Sequence, residues 1–219
     1  MGKEPRSRKG ARTRARLVDA AKEVFEEHGF LDVRMSDIAE RAGLSHGALY
    51  HYFDSKEEIF REVVEALDAR LSGPIDSAAF APSADAERQR LLASILGHLQ
   101  RYQDDARIMG VIEQVARYDD YVSAVRFAQS RRHREEIAGS IRRMQQRDLA
   151  DARLDPAIAA AALASMVERF AEMWLVQGFI ECELDAAAKT LATLFANALQ
   201  LDDRRTGQPD GEAAAPTPK

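Results

Sequence analysis

Apolar residues recur at three- and four-residue intervals along most of the 219-residue chain, the period of helices that each bury one face. Leu17, Val18, Ala21, Val24 and Phe25 mark a first helix that ends at Gly29. Ile59, Phe60, Val63, Val64 and Leu67 mark a longer one that starts near Lys56 and stops before Gly73 and Pro74. Leu91, Leu92, Ile95, Leu96 and Leu99 predict another, and Ile108, Met109, Val111, Ile112 and Val115 a short one. A long charged helix is expected from about Tyr121 to Gln146, and Asp155-Pro156 reads as an N-cap with proline in the first helical position. The helix after it runs through Ile158, Leu163, Met166, Phe170 and Trp174, and Asp185 is placed to cap the last one, with Leu191, Leu194, Phe195 and Leu199. Residues 73 to 83 read as a loop. The first sixteen residues and the tail after Asp202 lack apolar periodicity and are expected to be mobile. No segment alternates apolar and polar residues between turn signals, so the predicted fold is all-α.

Ser36 to Glu58 is the most informative stretch. Asp37 and Glu40 have capping-box spacing, so a short helix is expected to open near Ser36 or Asp37. Ile38, Ala39 and Ala42 give it an apolar side, and Gly43 supplies the positive φ that ends it. Leu44 turns inward and Ser45 is a good N-cap for the next helix. There Leu49 and Phe53 face the core, while Gly47 and His51 fall opposite, flanked by Ala48 and Tyr50. Ser55 and Glu58 repeat the capping-box spacing ahead of Lys56. A short helix held from behind, with His46, Tyr50 and His51 on its free side, has the geometry that enters a major groove. Tyr50 can give a hydroxyl to a phosphate, the histidines can reach base edges, and Lys56 can share a phosphate with a helix N-terminus. The competing reading is a plain helical hairpin with His and Tyr as surface decoration.

These residues resemble the DNA-binding domain of the TetR/AcrR family of bacterial transcriptional regulators. The resemblance runs through Ala20, Phe25, Gly29, Phe30, Asp37-Ile38-Ala39, Ala42-Gly43-Leu44-Ser45, Gly47, Leu49-Tyr50, Phe53, Ser55-Lys56-Glu57 and Phe60. It is strong over roughly residues 13 to 60 and only architectural beyond. It implies a three-helix helix-turn-helix domain followed by a larger helical bundle that binds an effector and dimerises through its last two helices. It places Arg34 and Ser36 where the family has phosphate-touching threonines at the start of the second helix, and Ser45 among the DNA-binding residues. His46, Gly47, Ala48, Tyr50, His51 and Tyr52 fall on the groove-facing side, and Lys56 at a phosphate. Val33, Arg34 and Met35 depart from the threonine-rich pattern of the family, which exchanges a neutral hydroxyl contact for a charged one, and Ala48 offers only a methyl to the groove. The implied organisation is a basic arm over 1–12, the DNA-binding domain over 13–60, a ligand-binding and dimerisation domain over 61–201, and a tail over 202–219. The implied function is that of a repressor which binds a palindromic operator as a dimer and is released by a small apolar or amphipathic effector. A bundle that docks a protein partner or an acyl-CoA-type ligand is the alternative.

A net charge of −5 argues against DNA until its distribution is read. Residues 1–56 hold 11 basic and 9 acidic side chains, a balance of +2, which leaves −7 for the remainder. A basic start on an acidic body orients the protein on a polyanion, with a contribution that falls steeply with salt. Whether the arm reaches phosphates or is simply solvated stays open at this point. No apolar run is long enough to cross a membrane and the N-terminus shows no secretory leader, so a cytoplasmic protein is expected. Cys182, the single cysteine, fits a reducing compartment. No phosphate loop, nucleophile elbow or metal-ligand spacing is present, so no catalytic residue, metal or cofactor is expected.

In the body, Met109, Ile112, Glu113, Phe127, Met166, Phe170, Met173 and Trp174 are candidate effector-pocket residues, since Met and aromatic side chains adapt to apolar ligands. The same stripe at helical spacing also serves as ordinary core. His98, Tyr102 and Tyr118 join Glu113 as possible polar handles. Arg126, Arg131, Arg132 and Arg134 would suit an anionic head group, but they interleave with Glu135 and Glu136 as on a solvated salt-bridged face. The Ala157 to Ala164 run with Leu163, Met166 and Val167, and Leu191, Leu194, Phe195 and Ala198, suits a four-helix dimer seam or packing within one chain.

Overall fold

The computed structural model describes residues 7–71 and 83–201; the expectations for residues 1–6, 72–82 and 202–219 lie outside them. All nine helices expected or implied above are present among the described residues: α1 (Arg8–Asp32), α2 (Met35–Arg41), α3 (His46–Tyr50), α4 (Lys56–Leu71), α5 (Ala84–Asp104), α6 (Ala106–Val115), α7 (Asp120–Gln145), α8 (Pro156–Ala171) and α9 (Leu184–Ala198). No strand occurs among the described residues.

Several boundaries differ for local reasons. α1 begins at Arg8 rather than near Leu17, because the Ser7 hydroxyl accepts from the Gly10 N–H and caps a start that buries nothing. At its other end Gly29 leaves the helix with φ 71°, in the left-handed region open to glycine. That break turns Phe30 back onto Phe25 and Phe60, whose ring centroids lie 5.6 and 4.9 Å away. α8 does not continue as a regular helix to Trp174 but passes into a π-type turn over Glu172–Val176. α9 is capped by Glu183 backbone geometry rather than by Asp185, which instead pairs with Lys189 at 2.5 Å one turn on. Asp155 caps α8 as expected, accepting from the N–H groups of Ala157 and Ile158.

The chain forms two compact units. The first contains residues 7–71, 100–132 and 171–180, and α4 runs unbroken from Lys56 to Leu71. Its core is Leu17, Ala21, Phe25, Ile38, Leu49, Phe53, Ile59, Phe60, Ile108 and Ile112. Asp105, buried ahead of α6, receives Lys22 of α1 at 3.4 Å and the guanidinium of Arg70 of α4, which ties three helices to one carboxylate. Arg61, Glu65 and Asp68 on one flank of α4 bond Asp119, Tyr121 and Arg132 in turn. The Tyr121 phenol is pushed up to about 12, first by its hydrogen bond to Glu65 and then by burial.

The second unit contains residues 83–99, 133–170 and 181–201. Leu99, Ile141, Ala160, Leu163, Ala164, Val167, Leu191, Phe195 and Leu199 are buried in it. The Gln145 amide donates to the carbonyls of Asp151 and Leu154, and the Asp151 N–H to that of Leu199, fastening the segment between α7 and α8 to the end of α9. His98 and His133 stack at 5.7 Å.

Candidate nucleic-acid interface

α2, a tight turn and α3 form the predicted helix-turn-helix, and its local chemistry is as expected around the turn. Gly43 has φ 62°, a conformation costly for any residue with a Cβ. The Leu44 N–H reaches back to the Ala39 carbonyl at 2.9 Å. The Ser45 hydroxyl accepts from the Ala48 N–H at 3.2 Å and opens α3. The first cap lies one frame earlier than expected. α2 starts at Met35, and Asp37 is the residue that reaches back, accepting from the Arg34 N–H at 2.9 Å, while Ser36 donates to the other Asp37 oxygen. In front of α4 the Ser55 hydroxyl accepts from the Glu58 N–H, and Glu58 in turn accepts from the Asp54 N–H.

α3 sorts its side chains as the spacing demands. Leu49 and Phe53 are wholly buried, while Ser45, His46, Gly47, Tyr50 and His51 are exposed and Ala48 and Tyr52 are half-buried. A methyl built on Gly47 would meet nothing within 4 Å, so this side of the helix is open. The His46 and Tyr50 rings meet edge to face at 4.9 Å, and His51 and Tyr52 do so at 5.4 Å. These pairs limit the rotamers of otherwise free side chains and present N–H and O–H tips together. The surface can bond base edges and phosphates and offers no nucleophile with a base behind it.

The cations divide sharply. Lys56, expected at a phosphate, directs its ammonium to the carbonyls of Phe30, Leu31 and Val33 at 2.9, 3.0 and 3.1 Å, with the Phe30 ring 4.8 Å away. An ammonium has three donors, and all three are engaged by the carbonyls where α1 ends. In the free protein Lys56 thus joins α4 to the end of α1. Arg16 donates to the Ala42 carbonyl at 2.6 Å, with that of Gly43 at 3.4 Å, so α1 holds the helix-turn-helix turn from behind. Arg14 pairs with Glu62 and lies 4.6 Å over the Phe53 ring, and Arg41 bridges to Glu23 and Glu27 of α1 at 3.0 and 2.5 Å. The Glu27 carboxyl is accordingly held below the usual carboxylate range, first by its hydrogen bond from Arg41. Among the described residues Arg8, Lys9, Arg12 and Arg34 make no ion pair, and all four are exposed.

Sequence reasoning missed Arg16 and the helical state of residues 8–16; Ser7, a cap residue ahead of nine residues without proline, was the available signal. Arg16→Met is expected to lower stability by about 1–2 kcal/mol, the low side of what a hydrogen bond from a charged group contributes, since Arg16 is exposed. DNA affinity should fall with it while the salt dependence of binding stays unchanged. Chemical denaturation together with a salt titration checks both.

Of the candidate pocket residues, Met109, Ile112, Glu113, Phe127, Met173 and Trp174 lie in the first unit, and Met166 and Phe170 in the second. Met109 and Ile112 are buried in α6, and Glu113 is engaged by Arg126. Met173 and Trp174 are half-buried in the π-type turn, as are Met166 and Phe170 in α8. Phe127 is 66% exposed on α7, so it does not line an enclosed space in the chain by itself. Tyr102 is buried and Tyr118 exposed. Arg126 and Arg132 pair with Glu113 and Asp68, on α6 and α4. In the dimer-seam set, Leu163, Val167, Leu191 and Phe195 are buried in their own unit, leaving Leu194 with Ile158 as the large exposed apolar residues of α8 and α9. The Cys182 thiol is pushed up by burial and by Glu183, away from reactivity. No helix among the described residues is long and apolar enough to cross a membrane.

Comparison with known proteins agrees with this geometry. Residues 17–63 match the family described as bacterial regulatory proteins, tetR family. Over 121 residues the chain is 31% identical to the HTH-type transcriptional regulator YfiR of Bacillus subtilis, which covers 55% of this chain and 56% of that protein. Over 67 residues it is 43% identical to the HTH-type transcriptional regulator BetI of Agrobacterium fabrum, covering 31% of this chain and 30% of the relative. The chain thus spans about half the length of the first and under a third of the second. A TetR-family regulator structure from Mesorhizobium loti shares the fold over 88% of this chain and 98% of its own, with a TM-score of 0.70 and 20% identity. These relatives are regulators, not enzymes.

Proposed function

We propose, for a chain that belongs to the tetR family of bacterial regulatory proteins, that it is a one-component repressor which binds a palindromic operator as a dimer. The observation that carries this is the exposed face of α3, where Ser45, His46, Gly47, Tyr50 and His51 stand together over a buried Leu49 and Phe53. Two copies place these faces in successive major grooves about 34 Å apart. Ser36 and Arg34 flank the groove at the start of α2 and meet the phosphates. Dimerisation through α8 and α9 sets the spacing, with Ile158 and Leu194 as the apolar centre of the seam. An apolar or amphipathic effector in the helical body, against Met109, Met173 and Trp174, favours a spacing that no longer matches the operator. It lowers DNA affinity only by its differential affinity for the two shapes. Such a protein works in the cytoplasm, where its operator lies.

Gel-shift with DNA from upstream of the protein's own gene tests this reading. A retarded band that resists mixed-sequence competitor and weakens with salt is expected. Tyr50→Phe removes one hydroxyl contact and should weaken that band several-fold without loss of helicity. Failure to prefer this or any other promoter fragment over competitor DNA would contradict the proposal.

A further inference from the structure

The first two turns of α1 break a general rule of helix electrostatics. The partial positive charge at a helix N-terminus favours acidic side chains there and disfavours cations. α1 has no acidic residue in its first turn and carries Arg8 and Lys9 there instead, with Arg12 one turn on. All three are exposed and make no ion pair among the described residues. The helix continues through this stretch with Ser7 as its cap and the Thr13 hydroxyl on the Lys9 carbonyl. The free protein therefore sets two unneutralised cations on an N-terminal dipole of the same sign, with a third one turn on, a local conflict that a bound polyanion relieves.

Position supplies the second observation. Arg14 lies over Phe53 just past the end of α3, and Arg16 bonds the turn between α2 and α3. At a rise of about 1.5 Å per residue, Arg12 precedes Arg16 by about 6 Å and Arg8 by about 12 Å along the axis. The cationic turns thus extend past the edge of the module that holds the groove-facing helix. The other cations here (Arg14, Arg16, Lys22, Arg41 and Lys56) are engaged within the fold.

We propose that Arg8, Lys9 and Arg12 form a phosphate-binding edge that clamps duplex DNA flanking the half-site. With Arg34 they supply most of the sequence-independent attraction of this acidic protein for DNA. The proposal rests on the DNA-binding function above. It assigns phosphate contact to the start of α1 rather than to Lys56.

The test is a fluorescence-anisotropy titration of the full chain on a mixed-sequence duplex across a range of KCl concentrations. Wild type is compared with the triple variant Arg8→Ala, Lys9→Ala, Arg12→Ala. Each phosphate contact removed lowers the slope of log affinity against log salt by about 0.9, so a loss of up to about 2.7 per protomer is expected. These side chains support no packing, so the variant should unfold at or slightly above the temperature of wild type, since removing the cations relieves the dipole conflict. As a second readout, amide exchange over residues 8–13 of the wild type should slow when duplex is added. An unchanged slope, or exchange that does not respond to duplex, overturns the proposal while leaving the operator-reading function intact. Absence of any wild-type binding to duplex DNA removes that function, and the proposal with it.

Discussion

Substituting Lys56 by Met is expected to destabilise the protein by about 2–3 kcal/mol, while leaving the salt dependence of DNA binding unchanged wherever the variant is folded. Methionine keeps an apolar stem against the Phe30 ring and removes only the ammonium. The carbonyls of Phe30, Leu31 and Val33 then lose their common donor at the point where Gly29 has broken α1. Terminal carbonyls of a helix carry partial negative charge, so a cation there stabilises in two ways, by hydrogen bonds and through the dipole. The phosphate-binding alternative makes the opposite forecast. A lysine that contacts DNA could be replaced with little change in stability, and the salt slope would fall by about 0.9 per protomer. Urea denaturation and the salt titration together separate the two. A stable Lys56→Met protein with a reduced slope would return Lys56 to the DNA.

If α8 and α9 form the proposed seam, placing Arg at both Ile158 and Leu194 is expected to leave the protein monomeric and to lower operator affinity about a hundredfold or more. Ile158 is 71% exposed and Leu194 49%, on faces that also carry Ala157, Ala162, Ser165 and Arg169 in α8 and Ala186, Thr190, Thr193, Asn197 and Ala198 in α9. Small residues let a second helix approach closely, and two exposed branched side chains among them provide the apolar centre of such a contact. Joining two half-site readers makes the second contact intramolecular, and losing the link forfeits an effective-concentration gain of about a hundredfold to ten-thousandfold. Light scattering coupled to size-exclusion chromatography reads the oligomer directly. A double variant that stays dimeric at micromolar concentration would move the seam elsewhere.

What the sequence revealed and what it concealed follow the range of the forces involved. The turn Ala42-Gly43-Leu44-Ser45 and the sorting of Leu49 and Phe53 inward from His46, Tyr50 and His51 outward were legible, because caps, positive φ and helical spacing act within a few residues. Asp37 was recognised as a capping residue but placed in the wrong frame, since it can either accept from its own helix or reach back to Arg34, and spacing alone does not choose. The roles of Arg16 and Lys56 depend on carbonyls about 25 residues away, which no local pattern reveals. The start of α1 was hidden for another reason: its first two turns bury no side chain and leave no apolar period to read. The exposed faces of α8 and α9 were half legible. α8 and α9 each carry two faces of small and apolar residues, and periodicity cannot distinguish the face buried in its own unit, with Leu163 and Leu191, from the one exposed at Ile158 and Leu194.

Selection of bound sequences from a random-sequence DNA pool by this chain tests most directly whether paired α3 faces read a duplex. The account predicts an enriched inverted repeat whose half-sites are centred about one helical turn apart, with half-site preference weakened by substitutions at His46 or Tyr50. A pool that emerges without any enriched sequence, or with one whose preference survives loss of both side chains, would contradict it.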